Sequence, residues 1–499
     1  MLPVLIISMD GTMLGFAVPH LSESLEPTSS QLLWIVDIYS FILAGLLVTM
    51  GSVGDRIGRR RLLMIGAAAF SATSVMAAFA PSASALIAAR ALLGFSGATL
   101  MPSTLSLIRN IFPNPQERQV AISIWAASFA IGGAVGPIIG GLLLDRFWWG
   151  SVFLVGVPVT VALQILGPRL VPESRDPSPG RFDIPSSALS IVAMIPTIFA
   201  IKMAAEHGID RVGLLALVIG VSAGAAFVVR QRRLADPMID TRLFAIPGFR
   251  RAIVANMVAS FGFAGGLFFI TQYFQLVLGM SALRSGIQLM PAVVAAIVMM
   301  LAAPAFVRRT GPFQVMTVGL VLGTIGFAIF MLVDLTGPIA LTTVAIAGAY
   351  GGLSMAMTVA IDGIMSVIPP QRAGAGASVS ETSNELGIAL GTALLGSVLT
   401  AVYRPRIDQI QRVPHNAIEA ARETLGAAVI AAEKLPSEVG AVLVNGAKSA
   451  FVAGLHSASL IATLALAVVT VWTAVAVRKN PSVSGEHDRD AQQPGAGEG

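Results

Sequence analysis

Two glutamates, Glu381 and Glu385, lie four residues apart in a run of otherwise apolar and small residues. On a helix that spacing puts both carboxyls on one face. An ionisable group inside an apolar run is costly unless it meets water or a partner, so it reads as functional. A carboxyl pair so placed can hold a proton or an organic cation, but not both well. The other reading of Glu381 is a structural bond to a loop. Asp10 lies midway along the first apolar run. It either handles protons or cations, or is the structural partner of Arg90. Asp37 and Arg90 fall at similar depth in the second and fourth runs, which lets them pair across helices. Arg90 stays charged and would either tune the proton affinity of a carboxylate or form a purely structural ion pair. Asp362 lies near Glu381 in depth and reads as a second proton or cation site, or as an anchor at a span end. Lys202 and His456 sit near span ends, where long polar side chains reach toward headgroups.

Other chemistries find no support. The chain has no cysteine, which excludes thiolate metal sites and cysteine nucleophiles. Its histidines (5) are scattered without metal-ligand spacing, so no metal is expected. There is no phosphate-binding loop of the G-x-x-x-x-G-K-[ST] kind, and no nucleophile–base set for an enzyme. No cofactor is expected. An ion gradient must supply the energy.

Helices must carry these groups through lipid. Of 499 residues, 55% are hydrophobic and only 12% charged, with a mean hydropathy of +0.79; an ordinary soluble domain is about 25% charged. The fold class is an all-α polytopic membrane protein. Fourteen spans of roughly 20 residues are expected, with cores near 2–21, 32–53, 62–80, 86–108, 120–144, 149–170, 184–204, 212–229, 253–276, 286–307, 315–333, 339–368, 374–402 and 451–477. Alternate loops concentrate arginine, including Arg56, Arg59, Arg60, Arg118, Arg230, Arg308 and Arg372. The positive-inside rule makes these loops cytoplasmic and both termini internal. The chain opens directly into an apolar helix, so no cleavable signal peptide is expected. The net charge of +5 is explained by these loops, and no nucleic-acid surface is visible. Membrane lipids are the expected surroundings, and the protein is expected to be a monomer.

Three motifs resemble a known family. Gly51, Gly54, Asp55, Arg56, Gly58, Arg59 and Arg60 form a charged, glycine-punctuated reversal between two apolar runs. The pattern G-x-x-x-D-R-x-G-R-R resembles the gating loop between helices 2 and 3 of the major facilitator superfamily. Gly132, Gly136, Pro137, Gly140 and Gly141 form G-x-x-x-G-P-x-x-G-G. Small residues there let helix backbones touch, and Pro137 should kink the span. This resembles the motif associated with antiporters in that superfamily and implies a close-packed seam that limits proton leak. Met9-Asp10-Gly11-Thr12 followed by Ala17-Val18-Pro19 resembles a first-span motif of fourteen-helix drug:proton antiporters, with Gly15 where that pattern has asparagine. Arg90 resembles the superfamily's fourth-span arginine, often assigned to proton transfer.

An internal echo fits that resemblance. Gly132, Gly136 and Gly141 are spaced like Gly387, Gly391 and Gly396, which sets Ala126 and Ala130 against Glu381 and Glu385. The resemblance implies a major facilitator fold of two six-helix halves, 1–170 and 236–478, around a two-helix insert, 171–235. An outer loop, 403–447, and a disordered cytoplasmic tail, 479–499, complete the division. The function implied is a multidrug efflux antiporter of the bacterial inner membrane. With protons as the coupling ion, it would exchange them for lipophilic cationic drugs, dyes and biocides by alternating access. An exporter of an endogenous metabolite or self-made antibiotic would carry the same motifs. A receptor that has lost transport is the reading from another class, and the retained acids argue against it.

Overall fold

A computed structural model describes residues 1–27, 29–175, 183–207, 210–234, 237–280, 282–335 and 339–479. The expected tail therefore lies almost wholly outside the described residues. Helices dominate because lipid offers no partner to a free N–H or C=O, and a helix satisfies each one within itself. They are α1 (Leu2–Leu25), α2 (Ser29–Ile57), α3 (Arg59–Ala78), α4 (Ala83–Ile111), α5 (Pro115–Leu144), the short α6 (Ser151–Leu154) and α7 (Gly156–Leu170). Next come α8 (Ile184–His207), α9 (Arg211–Arg233), α10 (Pro247–Gln272), α11 (Ala282–Thr310), α12 (Pro312–Phe330), α13 (Ile339–Val367) and α14 (Ala373–Ile407). The last are α15 (His415–Glu423), α16 (Leu425–Glu433) and α17 (Ser437–Lys479). Among the described residues, 13 helical segments are long and apolar enough to cross a membrane, α6 and α7 counting as one. In the 24-residue α1 the apolar stretch Leu2–Leu14 is shorter than these, so 13 of the fourteen expected spans meet that length and composition among the described residues.

Local chemistry sets the breaks. Ser82 accepts from Ala85 N (3.2 Å) to cap α4, and Asn114 accepts from Gln116 N (2.8 Å) just before Pro115 opens α5. Gly58 separates α2 from α3 with φ +107°, and Gly311 separates α11 from α12 with φ +93°; only glycine takes such angles freely.

The two glycine seams pack alike. A Cβ on Gly132 would stand 2.4 Å from Leu5 O of α1, and one on Gly136 2.1 Å from Thr12 Oγ1. On α14, a Cβ on Gly387 would stand 2.2 Å from Met257 O of α10, and one on Gly391 2.2 Å from Phe261 O. The third glycine of each set, Gly141 and Gly396, faces open space. Gly140 packs on Met13. The helix α5 runs unbroken through position 137, where the side chain is outside the described residues.

The segment 403–447 is no plain loop. The helix α14 extends to Ile407, α15 and α16 follow, and α17 begins at Ser437. Tyr403, Ala417, Ala421, Leu425 and Ala428 are buried together, and Tyr403 donates to Ala421 O (2.9 Å). The expected last span, 451–477, is thus the distal part of a 43-residue helix.

Candidate functional site: a line of buried charges between helices

Arg90 of α4 donates from Nη1 to Asp10 Oδ2 of α1 (2.7 Å) and from Nε to Ile35 O of α2 (3.1 Å). Both charged residues are buried. The guanidinium lies 4.8 Å from the Tyr39 ring centroid and 5.9 Å from that of Phe153. One side chain therefore ties three helices together. The pairing of Asp37 with Arg90 is corrected: Asp37 accepts instead from Lys202 Nζ of α8. Similar depth does not fix which helices adjoin, and α8 lies against the face of α2 that carries Asp37. Lys202 therefore does not reach for headgroups. Nor does His456, whose Nε2 hydrogen-bonds Val333 O (2.6 Å).

On α14, Glu381 is 2% exposed and its Oε2 has no hydrogen-bond partner. Helix α10 packs against this stretch through polar contacts. Asn256 Nδ2 donates to Ser380 O (3.1 Å) and Ser383 Oγ (2.8 Å), and Ser260 Oγ donates to Asn384 Oδ1 (2.6 Å). Glu385 is half-buried, with Glu381, Lys202 and the Tyr39 phenol within its electrostatic reach. The Tyr39 hydroxyl is itself buried without a partner. The structure so brings Asp10, Arg90, Tyr39, Glu385, Glu381, Lys202 and Asp37 into one neighbourhood of α1, α2, α4, α8 and α14. Sequence reasoning missed Asn256, Lys202 and the bare Tyr39 hydroxyl. A lysine inside an apolar run carries the same signal as the acids and could have been read so.

Asp362 lies apart from this line. It accepts from Arg118 Nε of α5 (2.9 Å), which joins α13 to α5 near the arginine-rich end.

The same end is closed by the glycine–arginine motif. Asp55 accepts from Gly374 N (2.9 Å) and Ala375 N (3.2 Å), free amides at the N-terminus of α14 where the helix dipole favours a carboxylate. Arg59, 1% exposed, donates to Asp55 Oδ1 through Nε (2.9 Å) and reaches Pro370 O (2.9 Å) and Gln371 O (2.7 Å). A Cβ on Gly51 would stand 2.4 Å from Gly374 O. Gly54 packs on Leu62. Arg60 Nη1 donates to Val171 O (3.1 Å), and Glu173 accepts from the Arg60 and Arg61 amides. Arg56 is half-buried at the end of α2.

Comparison with known proteins agrees with this architecture. "Multidrug efflux pump LfrA" of Mycolicibacterium smegmatis is 45% identical over 96% of this chain and 95% of its own length. "Methyl viologen resistance protein SmvA" of Salmonella typhimurium is 32% identical over 94% of this chain and 96% of its own. The crystal structure of the human organic anion transporter MFSD10 (TETRAN) superposes with TM-score 0.58 at 13% identity, over 93% of this chain and 97% of that one. A model of the Major Facilitator Superfamily matches residues 2–392. The chain is an integral membrane protein and a transporter rather than an enzyme, and it belongs to the Major Facilitator Superfamily.

Proposed function

We propose that this transporter is a multidrug exporter that exchanges protons for lipophilic organic cations. The observation that carries this is Glu381: a fully buried carboxyl with a bare oxygen, one turn from half-buried Glu385. A proton satisfies such a group, and so does a cation held beside the pair, and each excludes the other. Transport then follows from access. Protons arriving from outside displace the cation, and their release to the inside readmits the next one. The names of the relatives, a multidrug efflux pump and a methyl viologen resistance protein, support the substrate class. The arginine-rich loops support a cytoplasmic position for the latched end; on that reading this conformation is closed to the inside, and both termini are internal to the bacterial inner membrane. Halves 1–170 and 236–478 rock about the acids, with 171–235 as the insert.

The test is transport of ethidium by purified protein in liposomes under an imposed pH gradient. Wild type should move dye only with the gradient. Glu381→Gln should stop gradient-driven movement, yet elute and melt like wild type, because no hydrogen bond in the structure depends on its Oε2. Normal pumping by Glu381→Gln would refute the coupling site. A wild type that moves no dye under any gradient would refute the cationic substrate.

A further inference from the structure

Lys202 sits where an organic cation would. Helices α2 and α8 meet in regular register. Thr49 Oγ1 lies 3.5 Å from Ser190 Oγ, a Cβ on Gly45 would stand 2.6 Å from Ile195, Phe41 and Phe199 rings lie 6.2 Å apart, and Asp37 meets Lys202. Four positions of α2 spaced by four thus face α8. The register fixes the ammonium between a carboxylate and a set of aromatic rings. Lys202 Nζ is 5.1 Å from the Phe41 centroid. Trp34 stands edge-on to Phe41 (6.0 Å) and stacks on Phe199 (6.1 Å, interplanar 14°). A carboxylate beside ring faces is the chemistry that recognises quaternary and delocalised cations, which lack N–H donors and bind through charge and π-faces. The place is not sealed: the Lys202 and Asp37 side chains keep 26% and 17% of their surface. Helix α8 also packs on α14 through Ile198 and Ala389, as well as on α2.

We infer that Asp37, Phe41, Trp34 and Phe199 form a receiving site for lipophilic cations, and that Lys202 is a tethered cation which occupies it until a ligand takes its place. The inference rests on the reading of the chain as a cation exporter. A lysine that must leave first reduces the fraction of protein competent to bind, and apparent affinity falls by that fraction. The lysine also cannot be exported, so it keeps the carboxylate paired between substrates.

The experiment measures tetraphenylphosphonium binding to purified full-length protein, with thermal melting as the control for folding. Lys202→Met, which keeps the apolar stem and removes the charge, should bind about tenfold more tightly than wild type. Lys202→Arg should bind like wild type, and Asp37→Asn more weakly. Independently, saturating tetraphenylphosphonium should speed acylation of Lys202 in the wild-type protein by an amine-reactive reagent, read by mass spectrometry against Lys434 and Lys448. Unchanged or weaker binding by folded Lys202→Met would overturn the inference. Should Lys202→Met fail to fold, the labelling decides, and no change in Lys202 reactivity overturns it. If neither protein binds the probe, the receiving site is wrong. If Lys202→Met gains tight binding while the liposome assay shows no dye transport, the inference stands and the export reading falls.

Discussion

Arg90 shows what a single buried side chain is asked to do here. It holds a carboxylate on α1 and a backbone carbonyl on α2 while lying over two aromatic rings. Removing one member of a buried pair leaves the other charge without compensation, at a cost of about 3–5 kcal/mol. Arg90→Ala should therefore lower the melting temperature of the solubilised protein sharply. Arg90→Lys should recover only part of that loss, since an ammonium lacks the planar fork. Asp10→Asn should fall between wild type and Arg90→Ala. A melting point for Arg90→Ala within a degree of wild type would contradict this. Asp10, Glu381, Glu385 and Arg90 were legible in the sequence because an ionisable group in an apolar run is conspicuous. Their partners were not. Depth along a span can be counted from residues, but the azimuth around the helix and the identity of the neighbour cannot. From depth alone Asp10 and Asp37 are equally suited to Arg90, and Lys202 falls near the headgroups.

Helices carry the next level of argument. The seams between α1 and α5 and between α10 and α14 close because glycine leaves no side chain where a carbonyl of the partner approaches. Gly132→Ala and Gly387→Ala should push each pair apart and cost about 1–3 kcal/mol. Gly141→Ala and Gly396→Ala, which meet open space, should melt like wild type. Equal effects from all four would mean that the seams are not tight. The echo of spacing is readable, and so is close packing at the small residues of α5, but that α1 and α10 are the helices that approach is not. The boundary helices were less readable. In 403–447 apolar residues are too sparse to mark a span, yet tertiary burial of Tyr403, Ala421 and Leu425 makes helices of α15 and α16. The insert has its own fastening. Asp183, at the start of α8, accepts from Arg230 Nη2 of α9 (2.8 Å) and from Ser186. Burial raises its pKa, but the hydrogen bonds and charge of Arg230, with those of Ser186, outweigh that and hold it below the ordinary carboxylate value. A depressed folded pKa stabilises above the unfolded value, near 4 for aspartate. That stabilisation is lost as pH falls through the folded one. The protection of amides at the start of α8 against hydrogen exchange, taken relative to the intrinsic rate at each pH, should therefore fall on acidification below about pH 4, and in Asp183→Asn it should be low at neutral pH already. Protection in wild type that does not change with pH would remove Asp183 as the fastening.

At the scale of the molecule, hydrogen bonds and ion pairs from α2, α3 and α5 to α13, α14 and the turn between them gather at the arginine-rich end, in Asp55 with Gly374 and Ala375, Arg59 with Pro370 and Gln371, and Arg118 with Asp362. On the proposed alternating access these ties break in each cycle, so they can be neither absent nor strong. The Asp55 contact meets that need. It is a carboxylate on the free amides of a helix N-terminus, shared with a buried arginine, and charge-assisted bonds of this sort contribute about 1.5–3 kcal/mol each to the closed form. Asp55→Asn keeps an oxygen to accept with but gives up the charge that both the amides and Arg59 favour. The equilibrium should then move toward opening at this end by about tenfold for each 1.4 kcal/mol withdrawn. The absence of cysteine makes this measurable without background. Spin labels at Arg61→Cys and Arg309→Cys report the arginine-rich end, and labels at Phe79→Cys and Leu332→Cys report the opposite one, all at exposed positions. In the wild type the first distance should be single and short. In Asp55→Asn a longer population should appear there while the second distance shortens, as rocking of two rigid halves requires. Lengthening at one end alone would mean that the motif fastens a local loop, and no change at either would mean that closure does not depend on Asp55.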